Sequence, residues 1–329
     1  MKRLSLAAVV VAAFFAIAAS LSGCDRKEGS ARGWAVGGKG TVLATANGGA
    51  TWRRQKSGTT RDLNGVSFID ASRGWAVGND GAIIATSDGG RSWRSERSGT
   101  SVDLTSIAFA DASHGLIVGD SETILASTDG GRSWRKQYSG AEGLALFGVA
   151  YTDAKHAWAA GDDSTILATT NGGHTWKTQM SSPSPVDFLN KIAFSDRLHG
   201  WAVGVNGVIL STSNGGRTWA RQVSEWGLDL WGVAFADASR GWVTGAGTPG
   251  LVLSTSDGGR AWKPLVIRDL GKDFTGFNDI HFMDTSHGWA VGDLGVIVAT
   301  SNGGHSWKKQ RSGTKAPLAG AAFIGGSRG

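Results

Sequence analysis

The feature that most limits what this chain can fold into is an eight-residue string written seven times. One copy, at 86–93, reads T-S-D-G-G-R-S-W. The others begin at Thr45, Ser127, Thr169, Thr212, Thr255 and Thr300 and end at Trp52, Trp134, Trp176, Trp219, Trp262 and Trp307. Successive tryptophans lie 41, 41, 42, 43, 43 and 45 residues apart. A self-similar period in this range means stacked supersecondary units, none of which can bury its apolar face alone.

Each copy reads as a tight turn that ends one strand and starts the next. In the copy above, Asp88 offers a short acceptor to backbone N–H groups of the turn. The Gly89-Gly90 pair supplies positive φ, Ser92 is a second small hydrogen-bonding group, and Trp93 begins the returning strand with a large apolar plate. The acceptor is aspartate at Asp88, Asp129 and Asp257 and asparagine at Asn47, Asn171, Asn214 and Asn302. A metal ligand or catalytic acid would not tolerate an amide in most copies, whereas a turn cap would. These seven positions are therefore structural, and neither a metal nor a cofactor is expected.

Between boxes the repeat resolves into four short strands. In the second full unit they fall at 63–69, 74–78, 82–86 and 93–97, each apolar or alternating and bounded by Gly, Asp, Asn or Ser. No long 3.6-residue periodicity lies beyond the first two dozen residues, so the chain reads as all-β. Four-stranded units of this length are propeller blades, seven of them. The string from Arg32 to Gly37 reads as a second strand without a first, and 318–324 as a first strand with nothing after it. Together they complete one blade, closing the ring through the C-terminal strand. The domain is then 32–329. Trp34, Trp75, Trp158, Trp201, Trp242 and Trp289 recur in the second strand, where inter-blade packing is their expected role.

These residues carry a family resemblance. The S/T-x-D/N-G-G-x-S/T-W string resembles the Asp-box of BNR repeats, found in sialidases and sortilin-type receptors. With F-x-D-x-x-x-G-W-A-V-G upstream (Phe68 to Gly78), the unit is more similar to the photosystem II stability/assembly factor family. The resemblance runs from about residue 30 to the C-terminus. It implies a non-enzymatic propeller that docks a membrane or envelope protein during assembly.

The N-terminus reads as targeting sequence rather than fold. Lys2 and Arg3 precede an apolar stretch at 4–20, and Leu21-Ser22-Gly23-Cys24 resembles a bacterial lipobox. Residues 1–23 are expected to be cleaved and Cys24 acylated, with 24–31 as a polar tether. That makes a periplasm-facing lipoprotein, and Asp25 resembles an inner-membrane retention signal. Cys24 is the single cysteine, so no intrachain disulfide can form. Net charge is +6, falling to +4 without Lys2 and Arg3, which with no nucleic-acid motif gives no argument for DNA or RNA as a partner.

Antiparallel strands sort the turns onto two faces. Turns between first and second strands share a face with the boxes and carry a ring of Arg73, His114, His156, His199, Arg240 and His287. Each is expected to pair with the aspartate three residues before it. Fourth strands form a basic outer edge, which protects an exposed sheet edge or faces anionic lipid or an acidic partner. The opposite face is where the repeat breaks its symmetry. Connections at 181–187, 224–230 and 266–277 are longer than the rest and contain Trp226, Arg268, Lys272 and Phe274. Nearby turns carry Asp120, Glu122, Asp162 and Asp163. This face is the expected partner-binding site, with Trp226 and Phe274 as anchors and the charged residues setting polarity.

The competing reading is a carbohydrate-binding or sialidase-like propeller. Sialidase chemistry needs a tyrosine nucleophile, an arginine triad and an acid/base aspartate. Only Tyr138 and Tyr151 exist, both beside repeat positions, and the R-I-P string that precedes sialidase boxes is absent. Asp162 and Asp163 are sequence neighbours that point apart. The sequence favours a monomeric binding propeller over an enzyme.

Overall fold

In the computed structural model, residues 31–138, 144–181, 188–222, 227–247 and 250–325 are described. They form seven four-stranded antiparallel sheets. In the second blade the strands, from axis to rim, are Leu63–Phe68, Gly74–Gly78, Ala82–Thr86 and Arg94–Glu96, called A to D below. The A strands of successive blades touch around a closed ring. Strand Leu318–Ile324 pairs with Arg32–Gly37, bringing Gly33 opposite Phe323 and Ala35 opposite Ala321. Blade 1 is thus completed by the last strand, and blades 2 to 7 follow in chain order. Trp226, Cys24 and the whole 1–30 segment lie outside the described residues.

Burial follows position in the blade. Strands B and C, such as Gly74–Gly78 and Ala82–Thr86, are buried throughout because each sheet is covered on both faces by its neighbours. Their sequences are accordingly continuous apolar runs rather than alternating ones. Strand D is the rim, and Arg53–Gln55 shows two exposed arginines. Strands A and D are slightly shorter than the sequence suggests: Ile69 turns away after strand A, and Trp93 precedes strand D.

The tryptophans join blades. Each B-strand tryptophan stacks on the A-strand phenylalanine of the next blade, with centroids 3.5 Å apart for Trp34–Phe68, 4.2 Å for Trp75–Phe109, 3.7 Å for Trp158–Phe194, 3.4 Å for Trp201–Phe235, 3.5 Å for Trp242–Phe282 and 3.9 Å for Trp289–Phe323. A box tryptophan then meets that phenylalanine edge-on, as Trp93 meets Phe68 at 6.0 Å. Such pairs add roughly 0.5–1.5 kcal/mol each beyond burial. The glycine before the B-strand tryptophan makes room: a Cβ on Gly74 would sit 2.4 Å from the Phe68 ring. The seventh junction differs, with Leu116 packed among Tyr151 and Trp176.

Candidate functional site

Turns A–B and the boxes (C–D turns) lie on one face, as shown by Gly89 N–H donating to Ser72 O at 2.8 Å. The B–C turns and D–A connections share the other, where Asn79 N–H donates to Asp62 O at 3.0 Å. The first is the box face; the second is the mouth face.

The box is a closed hydrogen-bonded unit. Thr86 Oγ1 donates to Asp88 Oδ1 (2.8 Å) and accepts from Gly90 N–H (2.8 Å), while Ser92 N–H reaches Asp88 Oδ1 (2.9 Å). Gly89 and Gly90 adopt φ of 75° and 87°. Asparagine does the same work: Asn171 Oδ1 accepts from Thr175 N–H at 3.0 Å. The Ser92 hydroxyl, its N–H and Thr86 hold the Asp88 carboxyl down at about 2. The first box glycine also offers its carbonyl to the preceding blade, where Trp201 Nε1 (3.0 Å) and Gln222 Nε2 (3.1 Å) both donate to Gly258 O. The boxes are inter-blade joints.

The expected ring on this face is a ring of local pairs, each Arg or His bound to the aspartate three residues before it. Arg73 Nε meets Asp70 at 2.7 Å, Arg240 meets Asp237 at 2.7 Å, and His114, His156, His199 and His287 each place Nδ1 2.8–2.9 Å from the aspartate three residues back. Among the described residues no cluster of three or more His, Cys, Asp or Glu could hold a metal.

The mouth face corrects one expected anchor. Phe274 is 0% exposed and packs against Phe277 at 4.9 Å, with Ile267 and Leu270 buried beside it. Apolar side chains at 267, 270 and 274 fold the blade 6–7 connection down onto the core, leaving Arg268 and Lys272 exposed. This connection lies three blades from the acidic turns, so the two halves of the expected site are not one patch. The acidic turns do converge. Asp120 bridges to Ala145, and Asp162 Oδ2 accepts from Ala145 N–H at 2.7 Å. Burial, then the charges of Asp103 and Asp162, push the Asp120 carboxyl up. Burial and the neighbouring Asp163 push up Asp162, against the Ala145 hydrogen bond. Glu122 is buried at 8% exposure, while Asp163 stays partly open in a left-handed turn at φ 53°.

Sequence reasoning missed the inner ring at the mouth. The second residue of strand A normally clasps the next blade: Asn64 Nδ2 donates to Leu104 O (2.9 Å), Thr105 Oγ1 to Leu146 O (2.6 Å), Asn190 Nδ2 to Leu230 O (2.8 Å) and Asn278 Nδ2 to Leu318 O (3.0 Å). Blades 4 and 6 place Phe147 and Trp231 there instead, both partly exposed. Phe188, beside Asn190, is 36% exposed. One step deeper, Lys191 Nζ lies 3.1 Å from Asp279 Oδ1 of blade 7, passing Gly232 of blade 6. Aligning the seven A strands by their second position was the signal that could have found these residues.

Both tyrosines are raised above the ordinary phenol range, Tyr151 by burial and then the Asp111 charge, Tyr138 by burial and then Glu122.

Seven four-stranded blades joined by Asp-boxes define a BNR-type β-propeller. The family model "Photosynthesis system II assembly factor YCF48" matches residues 141–221 and 184–270. Residues 141–270 of the chain thus resemble the photosystem II assembly factor family, on a seven-bladed BNR-type propeller. Among solved structures it is similar to a YCF48 bound to a D1 peptide, with 21% identity, 84% of this chain and 93% of that chain covered and a TM-score of 0.67. YCF48 from Cyanidioschyzon merolae gives 20%, 78%, 87% and 0.62. An ancestral GH74 enzyme shares the fold at 14% identity and TM-score 0.63, but this chain, 87% covered, spans 47% of its length. No curated protein matches.

Proposed function

We propose that this propeller is a non-enzymatic assembly factor that holds a segment of a membrane or envelope protein across its mouth face. The carrying observation is the replacement of clasping Asn or Thr by Phe147 and Trp231 on the inner ring, with Phe188 between them. The replacements give up inter-blade hydrogen bonds and leave aromatic surface open to solvent, an exchange that favours a ligand rather than the scaffold. Asp120 and Asp162 both meet Ala145, two residues before Phe147, and the Asp103 charge acts on Asp120 from beside them. The site therefore suits an extended segment with apolar side chains and a nearby cation. The family match, and a structural neighbour that is a YCF48 bound to a D1 peptide, support the same reading.

The chain reaches its partner from the membrane. Residues 1–23 are the export signal, and acylated Cys24 tethers the propeller in the periplasm, at the inner membrane. The test places a photo-crosslinking amino acid at 147, 188 or 231 in the membrane-anchored protein. One recurrent membrane protein captured from these positions, and lost from position 188 in the Phe147→Asn/Trp231→Asn variant, is the expected result. Capture only from box-face positions, or retention of envelope glycans with no protein adduct, would overturn it in favour of another docking face or of carbohydrate binding.

A further inference from the structure

The disc is electrically polarised along its axis. Among the described residues, the box face with the adjoining first positions of the D strands carries fifteen lysines and arginines against nine aspartates. The mouth face carries eight against eleven carboxylates. Position matters as much as number. The nine box-face aspartates are occupied locally: six accept from A–B turn N–H groups and pair with Arg or His, as Asp70 and Asp196 do, and three are box caps such as Asp129. The cations point outward. Arg91, Arg132, Arg217 and Arg260, at the sixth position of their boxes, are exposed, and no described carboxylate lies within 4.0 Å of them in an ion pair. Around them the rim adds Arg53, Arg135, Lys177, Lys263 and Lys308, each directly after a box tryptophan, while Arg94 at the equivalent place pairs with Glu96 at 2.6 Å.

The chain enters on this same face. Ala31 O accepts from Gly48 N–H of the first box at 2.9 Å, and strand Arg32–Gly37 runs from there toward the mouth face. Residues 25–30 separate Ala31 from Cys24 and can span at most ~20–25 Å when extended.

We propose that the box face is the side that rests on an anionic phospholipid surface, holding the mouth away from the membrane. Each cation brought to such a surface contributes about fivefold in affinity, within about one Debye length. A ring of nine spread over one face therefore orients the disc even where no single contact is strong. The charge argument stands without the lipid anchor; the anchor decides only which side is held close.

The test uses the full-length chain in vesicles of phosphatidylcholine with about 30 mol % phosphatidylglycerol. A fluorophore is attached through Ala50→Cys on the box face or Ser101→Cys on the mouth face, both exposed, and headgroup spin-labelled lipid is the quencher. The unsubstituted chain is the control: dye on it would show a free Cys24 thiol and overturn the anchor, and the two probes are then compared in a Cys24→Ser background. The expected result is several-fold stronger quenching at Ala50→Cys. That difference should shrink in pure phosphatidylcholine, at about 0.5 M salt, and in an Arg91→Ser/Arg132→Ser/Arg217→Ser/Arg260→Ser variant with unchanged unfolding midpoint. Equal quenching, stronger quenching at Ser101→Cys, or a difference indifferent to lipid charge and salt overturns the proposal. So does box-face protection that needs an added acidic protein, which would make that protein the occupant.

Discussion

The two faces of the disc are built from the same repeat but have been treated differently. On the box face the seven turns are near copies, and their polar atoms are occupied locally: the cap by the turn, the A–B aspartate by its Arg or His, the glycine carbonyl by the preceding blade. On the mouth face only blades 7, 1 and 2 are followed by the same Ser-Gly-Thr connection, as in Ser57 Oγ donating to Thr59 O at 3.1 Å. Connections of the other blades diverge, and inner-ring clasps give way to Phe147 and Trp231. Uniformity marks what the ring needs in order to close. Departure from it marks what closure does not require, and that is where binding has room to arise.

Substitutions can break this contrast in order of size. Trp201→Ala should be the most damaging, because it removes a fully buried side chain, its stack on Phe235 and its bond to Gly258 O. A loss of about 3–5 kcal/mol is expected in denaturant unfolding. A cost below 1 kcal/mol would show that the blades are not joined through these tryptophans. Phe147→Asn/Trp231→Asn should weaken partner capture by roughly 30-fold, as hot-spot residues do, while leaving stability within about 1 kcal/mol because asparagine restores the clasp. Equal loss of both would make the aromatics scaffold after all.

Acid titration probes the box face. Burial raises the Asp153 carboxyl, but its bonds to His156, Lys155 N–H and Arg197 outweigh this and bring it to about 2. A carboxylate lowered on folding contributes above its unfolded value of about 3.9 and loses that contribution as pH falls toward 2. Asp153→Asn should therefore cost about 1 kcal/mol near neutrality, after screening at this partly exposed pair, and nothing at pH 2. A pH-independent difference would refute the pairing. Smallest of all is the box exchange. Asn171→Asp should leave the unfolding midpoint where it is, whereas Asn171→Ala should lower stability by roughly 0.5–1.5 kcal/mol.

The fold was legible because it is repeated. Gly74–Gly78 and Ala82–Thr86 could be placed to the residue from glycine boundaries, and the A–B aspartate pairings followed from a three-residue offset. The mouth was harder to read. Phe274 looked like an exposed anchor because it sits in an irregular connection, yet local sequence does not reveal that Ile267, Leu270 and Phe274 share one buried side. Phe147 and Trp231 were hidden for the opposite reason, since an aromatic in an inner strand reads as core.

The sequence by itself determined the number of blades, the strand order within each and which turns share a face, because period, turn chemistry and antiparallel alternation are local properties. Only the tertiary structure decided which side chains meet across blades. It set Asp120 beside Asp162, carried Lys191 past blade 6 to Asp279, and left Trp231 open while closing Phe274. Ring closure brings together residues about 40 to 290 positions apart, as in the Asn64–Leu104 clasp and the Gly33–Phe323 pair, and the side-chain contacts made across those separations are not local properties of the chain.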